Sequence, residues 1–317
     1  MHPRPALAIT ASLAALVAGV LVPPAAQASP TQASVVHPGQ SIQAALDSAP
    51  DGATVLLAAG TYYENVTVTK PVTIRGIGQV VLRPSTTIND NLCTEDSDGA
   101  PGGGQNNTGF CVLGALGPLD ANGTPTVVTP VPDVTIDHLR ITGFQGQGVI
   151  GFGTDRFVVR GVESDHNGDT GLFFEYGTGT RITDNNVHDN GHSAVRVADS
   201  VGTRVVGNRI RSGQQGILDL ESTGGVIARN AITDTCLGIV LFDAADPGPT
   251  GSVTVTDNQV TSNNRFCAAE EGVPSISGVG VALIGATDVT VTRNLIAHNI
   301  GQNDPVVNAE RKLTPFC

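Results

Sequence analysis

Apolar residues in this chain fall in short runs that recur at a fixed interval. An Asn-x-(Ile/Val) motif appears as Asn185-Asn186-Val187, Asn208-Arg209-Ile210, Asn230-Ala231-Ile232, Asn258-Gln259-Val260 and Asn294-Leu295-Ile296. Two degenerate copies precede it, ending at Leu139 and Val162. A small residue opens a second apolar run at Gly148, Gly171, Ser193, Gly216, Gly238 and Gly280. Both markers repeat at roughly 22–25 residues, the length of one supersecondary unit in a repeat protein. Each unit holds about three short β-prone segments and no helical pattern, as in Thr203–Val206, Arg209–Arg211 and Gly216–Leu220. This pattern predicts an all-β, right-handed parallel β-helix: a three-sided solenoid whose rungs pair as parallel strands. Asn185, Asn208, Asn230, Asn258 and Asn294 then stack at one corner. Their amides bond along the ladder and to turn backbone, and Asn tolerates the left-handed conformation a sharp corner needs.

The ends and interruptions follow from the same pattern. Ile42, Ala45, Leu46 and Ala49 have helical spacing, which predicts an amphipathic helix over Ser41–Ala49 covering the N-terminal open end. Thr54–Ala58, Asn65–Val68, Val72–Arg75 and Val80–Leu82 read as the first rungs. Residues 85–132 are rich in Gly, Pro, Asn and Asp and break the repeat, and a second insertion spans 261–277. Cysteine pairs bracket irregular segments, so Cys93–Cys111 and Cys236–Cys267 are the expected disulfides, with Cys317 left over. No Cys/His spacing suggests zinc. After Asn299 the pattern is lost, and the chain caps or frays. At the start, Arg4 precedes an apolar run from Ala6 to Val22, and Ala26-Gln27-Ala28 fits a signal-peptidase site. Residues 1–28 read as an export signal, and 29–317 as one secreted β-helix domain.

Composition narrows the partners. Thirty-nine Gly, no Trp, and 29 Asp+Glu against 17 Lys+Arg give a turn-rich chain of net charge −12. That balance argues against nucleic acid and anionic membrane as partners, and leaves a monomer peripheral to a cell surface at most. A neutral polysaccharide remains compatible, as does an acidic one bridged by a cation.

Candidate chemistry lies on the strand after each small residue. Alternation places Ile150, Phe173, Val195, Leu218, Val240 and Ala282 inward, with Phe152, Glu175, Val197, Leu220, Phe242 and Ile284. Phe174, Tyr176, Arg196, Asp219, Glu221, Leu241 and Asp243 then face outward. In this register Arg196 stacks on Asp219, and Glu221 stacks on Asp243. Carboxylates one rung apart, about 5 Å, match the separation in a retaining glycosidase. Like charges so close imply a raised pKa or a bound cation, and Ca²⁺ suits Asp219, Glu221 and Asp243. Arg196 is a candidate base or uronate contact. His192 is a candidate acid or base, with His188 and His166 in neighbouring turns, and Phe174 and Tyr176 are candidate sugar-stacking rings. The plainer reading is a set of solvated cross-rung ion pairs beside ordinary turn sequences.

The segments His37-Pro38-Gly39-Gln40-Ser41-Ile42-Gln43-Ala44-Ala45-Leu46, Gly52-Ala53-Thr54-Val55, Gly60-Thr61-Tyr62-Tyr63-Glu64-Asn65-Val66 and Pro71-Val72-Thr73-Ile74-Arg75-Gly76 resemble the opening of the pectate-lyase-like β-helix superfamily. The Asn-x-Ile and Gly-Ile-x-Leu repeats resemble those of its carbohydrate-binding and sugar-hydrolysis class. The resemblance covers about residues 37–83 and 133–300 and implies the fold; its members include lyases, hydrolases, epimerases, esterases and adhesins. The Gly-His-Gly and Arg-Ile-Lys motifs of polygalacturonases are absent, as is the Asp-Pro-His-Glu motif of alginate epimerases. The expected function is a polysaccharide lyase or glycoside hydrolase acting on an acidic or neutral glycan. The alternative is a non-catalytic carbohydrate-binding or surface-interaction protein. A copper-maturation role fits poorly, because Met1 is the single Met.

Overall fold

The computed structural model describes residues 33–87, 93, 107–119, 125–243, 250–269 and 275–302. The expected export signal and Cys317 lie outside these residues. The chain is a parallel β-helix with three faces. The first is an eight-stranded sheet of Val66–Val68, Phe110–Leu113, Val149–Phe152, Leu172–Glu175, Ser193–Ala198, Gln215–Leu220, Leu237–Phe242 and Val279–Ile284. The second and third are ladders of three-residue strands, such as Arg181–Thr183 over Arg204–Val206 and Asn186–His188 over Arg209–Arg211. They join into one sheet because the long strands Ala53–Tyr63 and Val72–Arg83 run through both faces.

Helix α1 (Ile42–Ser48) buries Ile42 and Leu46 against the first rungs. Ser41 caps it by accepting the Ala44 N–H at 3.0 Å. The Glu64 carboxylate accepts from the Ser41 hydroxyl at 2.6 Å and from the N–H groups of Ile42 and Gln43 at 2.7 and 3.0 Å. These satisfy the free donors at the helix start. The Gly60-Thr61-Tyr62-Tyr63-Glu64 run therefore has a physical reading. Glu64 caps the helix, and the single Tyr62 hydroxyl proton is shared between the carbonyls of Val36 and Ala58, 2.9 and 2.8 Å away. Gly60, at φ 144°, lies where a Cβ would meet Pro38 at 2.3 Å.

The Asn ladder is present. Asn185, Asn208, Asn230 and Asn258 each donate an amide N–H to the next Asn Oδ1 at 2.9–3.0 Å, ending on Asn294. Each also donates to a carbonyl of the preceding rung, Asn208 to Ile182 at 2.9 Å. Two details correct the sequence reading. The left-handed residue is the one before each Asn: Asp184, Gly207, Arg229, Asp257 and Arg293. Leu139 and Val162 align with the Asn column rather than the apolar one, since the Val162 N–H donates to Asn185 Oδ1 at 2.9 Å. Ile141 and Ser164 hold the apolar position instead. A second ladder, unforeseen in the sequence, runs Asn167–Asn190 and Thr235–Asn263–Asn299.

The Cys93–Cys111 and Cys236–Cys267 disulfides form, each with Cα atoms 5.9 Å apart. Within the expected 85–132 insertion, Phe110–Leu113 is a rung strand of the eight-stranded sheet, and Ala115–Leu119 pairs antiparallel with Pro125–Thr129. In the second insertion Phe266–Cys267 pairs antiparallel with Ile276–Ser277.

Candidate functional site

The eight-stranded sheet sets the geometry, and its register differs from the one alternation suggested. Val195 pairs with Leu172 and Ile217, so Ala194 rather than Ser193 continues the Gly171–Gly216 column. Val149, Leu172, Val195, Ile217 and Ile239 point inward at 0% exposure, as do Phe174 and Leu241. The outward columns are Ile150, Phe173, Arg196, Leu218, Val240 and Ala282, and Phe152, Glu175, Ala198, Leu220, Phe242 and Ile284. Alternation misled because both faces are apolar. Outward Ile150, Phe173 and Ala198 are buried with the Cys93–Cys111 disulfide, and Leu113 and Leu220 pack against them. A strand covered on both sides reads as a continuous apolar run without parity.

Three assignments change accordingly. Asp219 pairs with Val197 and Leu241 and points into the lumen at 4% exposure, so it neither stacks on Arg196 nor joins Glu221 and Asp243 outside. It therefore leaves the expected Ca²⁺ set. Phe174 is a core ring, edge-on to Phe157 at 5.4 Å, and offers no sugar platform. His192 precedes the strand that ends at the acidic corner, roughly 20 Å from it by strand rise; its Nδ1 lies 3.1 Å from Ser193 Oγ.

A compact group does form on the outer face. The Arg196 guanidinium lies over the Phe173 ring, its carbon 4.8 Å from the centroid. Its Nε is buried with no hydrogen-bond acceptor. Glu175 ends the preceding strand on the same face. Burial pushes its carboxyl up to about 7, with Arg196 opposing the rise and Asp199 adding to it. Just beyond the strand ends, one corner column holds Tyr176, Asp199, Glu221 and Asp243. Their N–H groups donate to Ala198, Leu220, Phe242 and Ile284 at 2.9–3.3 Å. Tyr176, Asp199 and Glu221 are left-handed, at φ 51°, 45° and 49°. Asp199 is raised by burial and then by the neighbouring Glu221 carboxyl, against a pull from Arg196. Two acids so placed favour a proton, or a cation, between them. Tyr176 packs edge-on against Phe152 at 4.9 Å. Glu221 and Asp243 thus occupy neighbouring rungs as the sequence suggested, with Asp199 and Glu175 as members it missed. The signal was available: Asp199, Glu221 and Asp243 each follow an apolar strand, at the repeat spacing.

A second charged group lies on the third face. His188, 6% exposed, sits between Glu163 (Nε2 to Oε1, 3.2 Å) and Asp189 (Nδ1 to Oδ2, 2.6 Å). Glu163, Asp165 and His188 each place a ligand atom within 4.8 Å of the others. Arg140, however, already grips Asp165 with Nε and Nη2 at 2.7 and 2.6 Å. Burial pushes Asp165 up, but Arg140 and His166 outweigh it and hold the carboxyl below its usual range. This is a closed ion-pair network.

The family described as right handed beta helix region matches residues 126–296. Among curated proteins none matches the chain. Several solved structures are similar. Pectate lyase Pel9A is 16% identical over 80% of this chain and 72% of its own, with a TM-score of 0.44. The alginate lyase from Paenibacillus sp. str. FPU-7 is 16% identical over 86% and 99%, at 0.49. The Yersinia enterocolitica family 28 exopolygalacturonase is 12% identical over 81% and 74%, at 0.44. At these identities the likeness is one of fold. With its stacked rungs, its Asn ladders and the match over 126–296, the chain belongs to the right handed beta helix family.

Proposed function

We propose that this protein acts on an extracellular acidic polysaccharide, with the outer face around Arg196 as its site. The observation that supports it is a half-buried guanidinium whose Nε has no partner, beside a carboxyl that burial pushes up to about 7. Arg196 binds a uronate carboxylate in the plane of its fork. Glu175, poised near neutrality, takes or gives the proton at the reacting carbon or glycosidic oxygen. Tyr176 flanks the sugar. The carboxylates of Asp199, Glu221 and Asp243 form an oxygen-only donor set on adjacent rungs, and such a set fits a hard cation such as Ca²⁺. When bound, the ion would neutralise substrate charge beside the acids. Two disulfides agree with an oxidising compartment, and among the described residues no helix is long and apolar enough to cross a membrane.

The test combines a binding and a product assay on polyuronate and neutral glycans. Wild type should retain a polyuronate in affinity electrophoresis and release new chain ends. Arg196→Ala should lose binding at least tenfold, while Glu175→Gln should bind but lose turnover by a factor of about 100 or more, the general range for one acid–base group. Binding without product assigns the face to recognition alone. Absence of both for every glycan would overturn the proposal.

A further inference from the structure

The lumen contains polar atoms that neither the fold nor the outer site uses. Thr154 Oγ1, Thr180 Oγ1, Thr203 Oγ1 and Asp219 Oδ1 are buried with no hydrogen-bond partner, in residues 0–4% exposed. These atoms are not scattered. Thr180 and Thr203 occupy one inward column, because the strands that follow them pair as Arg181 with Arg204. Gly225 is the next member of that column, since the Val226 N–H donates to Thr203 O. Beside Gly225 lies the Asp219 carboxylate: a Cβ there would sit 3.7 Å from Asp219 Oδ2 and 3.4 Å from Thr203 O. Around Gly177, a Cβ would meet Thr180 Oγ1 at 2.9 Å, Thr154 Oγ1 at 3.3 Å and Ser200 Oγ at 3.5 Å. Gly225 thus leaves room for a side chain beside Asp219, whereas at Gly177 the three hydroxyls crowd the position a Cβ would take; oxygens line this corner over successive rungs. Oxygens on neighbouring rungs stand about 4.8 Å apart, too far for a direct hydrogen bond and close enough for one small ligand to bridge.

Asp219 sets the charge of that ligand. Ser222 lies near it and partly offsets the rise that burial causes, but the single Ser222 hydroxyl proton goes to Leu220 O at 2.8 Å. Among the described residues no Lys or Arg is buried, so no side chain neutralises Asp219 inside the lumen. The Asp219 carboxylate, the unpartnered hydroxyls and the Thr203 carbonyl are hard oxygen donors of total charge −1, beside the Val253 methyl, which lies 3.8 Å from the Cβ position at Gly225. Divalent Ca²⁺ requires more oxygens, commonly several of them charged. We propose that the lumen binds one alkali-metal cation, sodium or potassium, with Asp219 as its charged ligand and the unpartnered Thr203 hydroxyl, on the rung before Gly225, as a neutral ligand.

The experiment refolds the full chain at pH 8, where Asp219 without a counter-ion is ionised even though burial raises it to about 6. Urea midpoints are compared in sodium, potassium and tetramethylammonium chloride at equal ionic strength. The expected result is a higher midpoint in an alkali chloride, rising with the logarithm of its concentration. Asp219→Asn should have one midpoint in all three salts, and Thr203→Val should show a weakened dependence. Crystals grown in rubidium chloride should give an anomalous peak beside Asp219; this readout stands if a variant fails to fold. Equal wild-type midpoints, a dependence that persists in Asp219→Asn, or no rubidium peak would each overturn the site in favour of a proton or water.

Discussion

At the scale of single residues, Glu175 and Asp219 show how position sets chemistry in a solenoid. Both are acids on the eight-stranded sheet, and opposite parity sends one to the outer face and one to the lumen. Glu175 is half-buried. Burial raises its carboxyl to about 7, against a partial pull from Arg196. The sign of its effect on stability follows. Below about 4.5 both folded and unfolded chains hold the proton, and the contribution is fully present. As pH rises through about 7 the unfolded chain ionises first, and the contribution is lost. Glu175→Gln should remove this slope, worth on the order of 2 kcal/mol once partial exposure is allowed for. Urea denaturation of wild type and variant at intervals between pH 4.5 and 8 measures it. Parallel curves for the two proteins would show that Glu175 holds no proton in the folded state near neutrality.

At the scale of elements, the corners are more legible in the sequence than the strands. Asn and Gly carry distinctive corner chemistry, and so the repeat, the Asn ladder, the capping helix and both disulfides can be read from residue type and spacing. The eight-stranded sheet cannot be read with equal security. Its Phe173-Phe174 and Ile217-Leu218 pairs are apolar on both faces, so residue type does not say which member faces the lumen. Counting two residues on from Gly148, Gly171 or Gly216 selects the outer column. Counting from Ser193, one residue before the true column, selects the inner one. Arg196 therefore faces outward as expected, whereas Asp219 and Phe174 do not. Glu221 and Asp243 lie outside because they stand at the corner, and Asp199, their neighbour there, resembles an ordinary turn residue. The ladder itself makes a prediction. Asn208 is 1% exposed, donates to Ile182 O and Asn230 Oδ1, and accepts from Asn185. Asn208→Ala leaves these groups buried and unpaired, and should cost about 2–4 kcal/mol in urea denaturation. The adjacent Arg209 is exposed on the next strand and does not replace the lost amide. A cost under about 0.5 kcal/mol would mean that water takes its place.

At the scale of the molecule, a solenoid is a one-dimensional stack, so the value of a side chain depends on its distance from an end. The N-terminal end is covered by α1. At the other end the inward residues of the last rung among the described residues are part-exposed: Leu283 is 46% exposed, Val291 41% and Ile296 45%. Ile296 belongs to the same column as Ile210, which is 0% exposed, through Ile232 and Val260. The same substitution in one column therefore tests the stack without changing chemistry. Ile210→Ala opens a cavity between two rungs and should cost about 3–4 kcal/mol, within the range for buried Ile or Leu. Ile296→Ala loses contacts on one side only and should cost about 1 kcal/mol or less. Urea midpoints with unchanged m-values measure both differences. Equal costs would show that the last rung is packed in solution as tightly as the middle of the helix, and that a further layer closes this end.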